Sequence, residues 1–400
     1  MKRGTSNSIY GNATCTTNCV NWRKACTWGQ PGCRWVPRNP TGVRAGSRKR
    51  GVNGLTLSER IYSLLPAWAQ DVAVTAMGAR LALQRYGAEY WRYKKRLPGI
   101  YSLPLDNALS LQLDLLRNFL MFAKRSSPFY AELYKGFDPS SLQSLAALKD
   151  LPTIDKETLR RNVERIYTVP RLLAIEGHTG GTTGKSLVVR FTRKDIQRRM
   201  AELDYFRERF GARHGMRRAT FSGKHLIPDK DERKRIFWRT NRMLNQRFYS
   251  TFHLSWANMD AYVANLNSYR PEIIDGFTSC IVDICKYVVN SGNSLQFRPV
   301  AVFPTSEPLF PGQRQIIREV LGVEPRDQYA SSEGAPFIFE CPEGSLHYAL
   351  HTGIIETDAD GEAIVTSFTT HGTPLIRYRI GDRITLGNRR CGCGWDTPVV

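Results

Sequence analysis

The sequence predicts an α/β fold with mostly parallel sheets, and two kinds of pattern support this. Short apolar runs at 187–191, 272–276 and 300–303 have the length and β-branched content of buried strands. Segments of helical period follow them, at 194–210, 279–290 and 311–321. Because strands that alternate with helices pair in parallel, ligand sites are expected at the carboxyl ends of these strands.

Residues 1–54 have a different composition from the rest of the chain. The first 50 residues hold ten Lys and Arg and no Asp or Glu, within a net charge of +21 for the 400 residues. We expect disorder or loose structure there. The spacing of Cys15, Cys19, Cys26 and Cys33 matches no common zinc finger. A zinc site and translation from upstream of the true start both stay open.

Helices are predicted over much of the region from residue 55 onward. A helical pattern runs from Ile61 to Tyr86, with Pro66 and Gly78 as candidate breaks. Further helices are expected at 107–124, after a cap at Thr153 or Asp155, and at 257–269. The aromatic and basic run at 90–96 favours a packed helix with a solvated end, and contact with a membrane surface stays the alternative.

The last part of the chain changes to short strands and turns. We therefore predict two further domains, an α/β core at 55–335 and a small antiparallel or barrel-like β-rich subdomain at 336–400. An apolar fraction of 42% is sufficient for a real hydrophobic core.

Composition also excludes several classes of protein. The sequence has no run of about 20 apolar residues and no signal peptide, so we predict a cytoplasmic protein with at most peripheral membrane contact. Nine unevenly spaced cysteines argue against a secreted disulfide framework. No aromatic and basic motif predicts nucleic-acid binding, and the positive charge suits polyanionic substrates such as ATP or CoA. A homodimer stays open.

A loop rich in Thr and Gly, residues 179–185, is typical of a triphosphate site. Its glycines bring backbone N–H groups close to phosphate oxygens, its hydroxyls add donors, and Lys185 adds a positive charge. The loop matches neither the Walker pattern nor the dinucleotide-binding pattern. The interpretation of this loop as a phosphate site depends on two later motifs, at 329–334 and 374–382.

The order and spacing of the three motifs resemble those of the adenylate-forming superfamily. A closer resemblance is to the phenylacetate–CoA ligase family, in its capsular polysaccharide biosynthesis branch. It rests on residues 65–86, 269–271, 276–279 and 391–394 together with the Pro-Leu-Ile-Arg-Tyr-Arg run at 374–379. The likeness covers about residues 60–400, and it implies the large N-terminal domain of such an enzyme.

The resemblance implies ATP-dependent activation of a small carboxylic acid to an acyl-adenylate. The acyl group would pass to CoA, or to an amine or sugar acceptor in surface polysaccharide biosynthesis. Catalytic roles are implied for Lys185, Glu333 and Thr183, and Glu333 would hold Mg²⁺. Tyr329 would stack on adenine, Asp382 would bind the ribose hydroxyls, and Arg379 would steady that region. The remaining nucleotide-binding residues implied are Thr179, Gly181, Thr182, Gly184 and Ser332.

The sequence departs from the family pattern in three respects. Gly180 stands where Ser is common, and Ala330 stands where Gly is usual. The given sequence ends at Val400, and we expect the C-terminal lid domain of the resembled enzymes to be absent. We therefore expect ATP binding with weak or absent turnover. The alternative is a catalytically weak or inactive truncated paralogue that acts as a scaffold in polysaccharide assembly.

Three cysteines and one histidine near the end of the chain form a candidate metal site. Cys341, His347, Cys391 and Cys393 supply three thiolates and an imidazole, which is a sound tetrahedral set for structural zinc. Folding has to bring two pairs together across the intervening sequence. Zinc binding and a set of unrelated small buried cysteines both stay open.

Overall fold

The computed structural model describes residues 57–178, 187–387 and 391–400. The predictions for 1–54 and for the loop at 179–185 lie outside these residues. Residues Thr56–Val400 form one compact unit, and the domain boundary expected at 335 stays a prediction. None of the described helices combines the length and apolar content that a membrane span requires.

Helices dominate the described residues from 57 to 170. They confirm the predicted helices at 61–86 and 107–124. Pro66 does interrupt the first, but the helix continues through Gly78, where an added Cβ would lie 2.2 Å from the Asn241 side chain. Their bounds are α1 (Leu57–Leu64), α2 (Ala67–Arg85), α3 (Ala88–Tyr101), α4 (Leu105–Ser126), α5 (Pro128–Leu133), α6 (Lys156–Arg161) and α7 (Val163–Ile166).

The aromatic and basic run at 90–96 lies on α3 and is packed, as the sequence favoured. The Tyr90 hydroxyl donates to Asp204 at 3.0 Å, and the Tyr93 hydroxyl donates to Glu202 at 2.8 Å. Trp91 remains exposed at the solvated side of the helix.

A five-stranded sheet forms the centre of the α/β part, in the order β4–β5–β3–β6–β7. Four of its strands are parallel, and β4 pairs antiparallel at the edge. The sequence predicted β6 and β7, whereas β3 and β5 carry too many polar residues to be found from apolar runs. The strands are β3 (Arg218–Ser222), β4 (Trp238–Asn241), β5 (Gln246–Ser250), β6 (Ile273–Phe277) and β7 (Ala301–Thr305).

Helices cover this sheet, and the prediction of charged amphipathic character for one of them needs correction. The helices are α8 (Arg193–Glu208), α9 (Asp229–Glu232), α10 (Met259–Tyr269), α11 (Thr278–Ser291) and α12 (Pro311–Leu321). On α8 the buried positions include Asp195, Arg199, Glu202 and Asp204. These groups tolerate burial because each has polar partners. The acidic side chains accept hydrogen bonds from tyrosine hydroxyls or lie beside a histidine, and Arg199 donates to backbone carbonyls.

The sheets formed by the β-rich region at 336–386 are antiparallel, as predicted, and one of them also includes the earlier strand at Gln328–Tyr329. Two three-stranded sheets have the orders β10–β9–β8 and β11–β12–β13. A separate hairpin pairs β1 with β2, so the strand predicted at 187–191 is antiparallel. The bounds are β1 (Ile175–His178), β2 (Val188–Phe191), β8 (Gln328–Tyr329), β9 (Ile338–Glu340), β10 (Leu346–Tyr348), β11 (Gly353–Thr357), β12 (Glu362–Ser367) and β13 (Leu375–Arg383).

Gly276 tests the close pairing of β3 and β6. Its φ is +132°, and a Cβ there would lie 2.0 Å from the Phe221 carbonyl oxygen. We expect Gly276→Ala to lower the free energy of unfolding by about 3 kcal/mol, measured by chemical denaturation. Gly99→Ala is the control, since nothing lies within 4 Å of its added Cβ. It should change stability by less than about 1 kcal/mol, and equal losses in both variants would contradict the argument.

Candidate functional site

Two of the predicted nucleotide-binding residues meet although they lie 53 positions apart. The Tyr329 hydroxyl donates to Asp382 Oδ2 at 2.6 Å. Tyr329 ends β8 and Asp382 lies near the end of β13, so the contact joins the two antiparallel sheets. Burial raises the pKa of Tyr329, and the Asp382 carboxylate raises it further. The phenol therefore stays protonated and holds the carboxylate in place.

Glu333 lies on the loop that follows Tyr329 and is largely buried. Its Oε1 is 3.3 Å from the Nζ of Lys156, the first residue of α6. The Lys156 side chain is 36% exposed, so the pair faces solvent on one side. A cation in the first turn of a helix is unfavourable for the helix dipole, which favours anions there. That misplaced lysine was the available sequence signal, and sequence analysis missed it.

Backbone hydrogen bonds fix the start of α6 against β13. Ile154 N–H donates to the Arg377 carbonyl at 3.0 Å, and Arg379 N–H donates to the Ile154 carbonyl at 2.8 Å. The same strand therefore positions Lys156 and Asp382.

Tyr378, on the same strand, is fully buried near both carboxylates. Burial raises its pKa, and the charges of Glu333 and Asp382 add to the effect. Among the described residues its hydroxyl has no hydrogen-bond partner. A buried hydroxyl of this kind is normally satisfied by water or a ligand, so its position beside the two carboxylates marks a polar site.

Arg199, on α8, holds the end of the Glu333 loop by hydrogen bonds. Its Nη1 donates to the carbonyls of Gly334 and Ala335 at 3.0 and 3.1 Å, and to Thr369 Oγ1 at 3.0 Å. The Ser331 hydroxyl oxygen accepts hydrogen bonds from the backbone N–H groups of these two residues, Gly334 and Ala335, at 3.1 and 3.0 Å. Ser332 is exposed on this loop. The loop is therefore rigid on both sides of Glu333.

The strands that flank the Thr/Gly-rich segment approach the same loop. In their hairpin, His178 pairs with Val188. A Cβ added at Gly177 would lie 3.4 Å from the Ser332 carbonyl oxygen. Thr179, Gly181, Thr182, Thr183, Gly184 and Lys185 lie outside the described residues, and their phosphate-binding roles stay predictions. The contact at Gly177 therefore places this strand of the described hairpin beside the Glu333 loop.

Arg379 has its guanidinium engaged elsewhere. Its Nη1 donates to Asp358 at 2.6 Å and to Glu362 at 2.7 Å, across the turn between β11 and β12. These ion pairs tie that turn to β13. Its nucleotide-binding role stays a prediction.

The four candidate metal ligands are brought together. The ligand atoms of Cys341, His347, Cys391 and Cys393 all lie within 4.8 Å of one another. Sγ of Cys341 is 3.7 Å from Sγ of Cys391, and Sγ of Cys393 is 3.4 Å from His347 Nε2. Tetrahedral zinc with Zn–S bonds of about 2.3 Å places its sulfur ligands about 3.8 Å apart. The residues therefore fit zinc.

The imidazole of this cluster is oriented for metal binding. His347 Nδ1 lies 3.0 Å from the Thr397 carbonyl oxygen, which can only accept a hydrogen bond. Nδ1 therefore carries the proton, and the lone pair of Nε2 points towards the cysteines. Val400 N–H also donates to the Leu346 carbonyl, at 2.9 Å, which adds the end of the chain to β10. The cluster thus belongs to the sheet that carries Tyr329.

Comparison with known proteins places this chain in a family. Phenylacetate-coenzyme A ligase from Thermus thermophilus is 25% identical over 321 residues, which are 74% of this chain and 70% of the relative. Protein CapK from Staphylococcus aureus is 38% identical over 333 residues, 82% of this chain and 73% of the relative. The chain belongs to the CapK branch of the phenylacetate–CoA ligase family. This confirms the resemblance found in the sequence.

Solved structures agree on the fold. A crystal structure of 2-hydroxyisobutyryl-CoA ligase in the postadenylation state superposes with a TM-score of 0.61 at 18% identity, covering 76% of this chain and 68% of that one. The predicted fold, the N-terminal domain of an adenylate-forming ligase, is thereby confirmed. No family model matches the chain.

The cysteine and histidine cluster leads to a prediction about zinc in this CapK-branch chain. We expect the purified protein to carry about one zinc ion per chain. Cys341→Ser should abolish that binding and lower the free energy of unfolding by about 2 kcal/mol or more, because metal binding contributes to folding. Metal analysis and thermal unfolding with and without a chelator measure both.

Cys285→Ala is the matched control, because this buried cysteine lies outside the cluster. It should keep its zinc and its response to the chelator. Equal zinc content in the wild type and Cys341→Ser would contradict the assignment.

Proposed function

We propose that this chain activates a small carboxylic acid with ATP and then transfers the acyl group to CoA. The contact between Tyr329 and Asp382, with Glu333 on the adjoining loop, is the observation that carries the proposal. Family membership supports it, because the relatives named phenylacetate-coenzyme A ligase join an acid to CoA.

Adenylation requires two anions to react. A carboxylate oxygen attacks the α-phosphorus of ATP, the bond from that phosphorus to the bridging oxygen breaks, and pyrophosphate leaves. The carboxylic acid is already ionised at neutral pH, so this step needs no general base. What it needs is positioning and positive charge. In the second step the CoA sulfur attacks the acyl carbon, AMP leaves, and the thiol proton passes to solvent.

The nucleoside would be held by the Tyr329–Asp382 pair. Tyr329 occupies one lone pair of Oδ2, so the Asp382 carboxylate keeps acceptor capacity for both ribose hydroxyls. The phenol ring offers a face on which adenine can stack. This arrangement would position the α-phosphate relative to the Glu333 loop.

The phosphates would be received between Glu333, Lys156 and the Thr/Gly-rich segment. Glu333 is a suitable carboxylate for Mg²⁺, which would neutralise phosphate charge when bound. Lys156 neutralises Glu333 in the described structure and would turn to the phosphates when they enter. Lys185 and Thr183 complete the proposed phosphate contacts.

A panel assay tests the proposal. ATP–pyrophosphate exchange would be measured with arylacetic, fatty and amino acids, and AMP release would then be measured with and without CoA. We expect exchange with at least one acid class and AMP release that depends on CoA. Release that needs an amine or sugar would assign the other acceptor class. If no acid supports exchange and ATP causes no thermal shift, the alternative of a non-catalytic scaffold in polysaccharide assembly is favoured.

Asp382→Asn is expected to weaken nucleotide binding. It keeps the side-chain shape and removes the charge that accepts the ribose hydrogen bonds. We expect KM for ATP in the exchange assay to rise about 10- to 100-fold. Asp106→Asn is the control, because that exposed carboxylate lies in the first turn of α4, outside the candidate site. An unchanged KM in Asp382→Asn would contradict the proposed role.

Lys156→Gln tests the cation beside Glu333. We expect KM for ATP to rise about tenfold, since one charge near the phosphates is lost. The double variant with Glu333→Gln should show less than the product of the two single effects, because the groups are in contact. Lys149→Gln, at an exposed lysine on the preceding turn, should behave as the wild type. Independent effects of the two substitutions would refute the coupling.

A further inference from the structure

Helix α2 exposes an apolar face to solvent. Trp68, Val72 and Leu83 are 72%, 61% and 75% exposed. The inner side of the helix is marked by Gln70, Val74 and Gly78, which are buried. A surface helix normally places its apolar residues inward and its polar residues outward. On α2 the outward side is apolar as well.

The exposed side chains share one narrow stripe. At about 100° per residue, Trp68, Val72, Ala76 and Leu83 fall within an arc of about 80°, opposite the buried positions. Helix α1 extends the apolar surface before Pro66, because Ile61 and Leu64 are also exposed, Leu64 by 80%. Large exposed patches of this kind mark interaction sites on soluble proteins.

Basic side chains surround this stripe. Arg80 is exposed, and on the helical wheel it lies about 40° beyond Ala76, at one edge of the stripe. The Arg242 N–H donates to the Thr75 hydroxyl at 3.1 Å, which places the exposed Arg242–Met243 turn on the other flank. Lys230 Nζ donates to the Leu65 carbonyl at 2.8 Å, beside the junction of α1 and α2.

The segment that contains Lys230 continues the positive rim. Arg233 and Lys234 are exposed and form no ion pair with the described residues. Glu232 is an exposed acid of this segment, and Asp231 is neutralised by its buried ion pair with Arg239. The first 50 residues, with ten basic and no acidic side chains, precede α1 directly in sequence.

We propose that the solvent face of α1 and α2, framed by these basic residues, docks on the surface of an anionic phospholipid bilayer. An apolar helix stripe with Lys and Arg on its flanks is the arrangement of helices that lie in the plane of a membrane interface. The apolar side chains enter the headgroup boundary, and the cations meet lipid phosphates. This inference goes beyond the proposed function and does not depend on it.

Charge decides between this partner and a second copy of the chain. A symmetric dimer through the same face would place each basic rim against its own equivalent. Like charges brought together in that way oppose association. An anionic lipid surface instead complements both the rim and the basic N-terminal sequence.

Vesicle flotation of the 400-residue chain tests the inference. The vesicles are phosphatidylglycerol with phosphatidylcholine, or phosphatidylcholine alone. We expect binding to the anionic vesicles and at least tenfold weaker binding to the neutral ones. Trp68→Ser/Val72→Ser/Leu83→Ser should reduce binding to anionic vesicles about tenfold or more. Met121→Ser/Val289→Ser/Phe310→Ser, three exposed apolar positions on other helices or their ends, should bind as the wild type.

A second variant protects the test against misfolding. Arg80→Gln/Arg242→Gln leaves the apolar stripe intact and should weaken binding and reduce its salt dependence. Acid-dependent exchange without vesicles should be unchanged in it, which separates this inference from the proposed function. Undiminished binding of both variants would overturn the inference and assign lipid contact to the basic N-terminal sequence. So would a wild-type dimer that binds no vesicles and dissociates in the triple Ser variant.

Discussion

Two backbone hydrogen bonds between Ile154 and strand β13 are the constraint on which the candidate site depends. They add a short extended segment to an antiparallel sheet, and the chain enters α6 immediately afterwards. The backbone that leads to Lys156 is therefore tied to β13, the strand that carries Tyr378 and Asp382. Since Tyr329 is bonded to Asp382 and the Glu333 loop follows Tyr329, four polar groups share one rigid frame. Preorganisation of this kind is what adenylation demands, because the reaction consists mostly of alignment and charge neutralisation.

The sequence predicted the frame unevenly, and the reasons are physical. Strands β6 and β7 were found because both faces are buried and each begins with consecutive apolar residues, Ile273–Ile274 and Ala301–Phe303. Strand β3 alternates polar and apolar residues, β5 begins with Gln246 and Arg247, and several of these polar side chains bond to neighbouring elements. Thr220, for example, donates to Asp275. Such local patterns resemble surface segments until tertiary partners are known. The resemblance in motif order was needed to pair Tyr329 with Asp382, and no periodicity could have linked Lys156 to Glu333.

Helix α8 also shows where prediction from local sequence fails, in this case for charged residues that are buried. Its charged residues predicted solvent contact, yet Glu202 is fully buried and accepts hydrogen bonds from Tyr93 and Tyr101 at 2.8 and 2.9 Å. His351 Nε2 lies 2.8 Å from the same carboxylate. Arg199, one turn earlier, bonds mainly to carbonyl oxygens below the Glu333 loop. This buried polar layer joins the helical part of the chain to the antiparallel sheets, and it replaces the apolar packing that composition alone would suggest.

The metal-ligand cluster has a consequence for the denatured chain. Cys341 and Cys391 are 50 positions apart, and the sequence between them contains β10 to β13 with Asp382. After unfolding these ligands are no longer held together, so an ion binds the native state preferentially and its binding free energy adds to the stability of the fold. Strand β13, which carries Asp382, would thus lie in sequence between the two halves of a reversible metal site. The supply of zinc during biosynthesis would then influence how much chain reaches the native state.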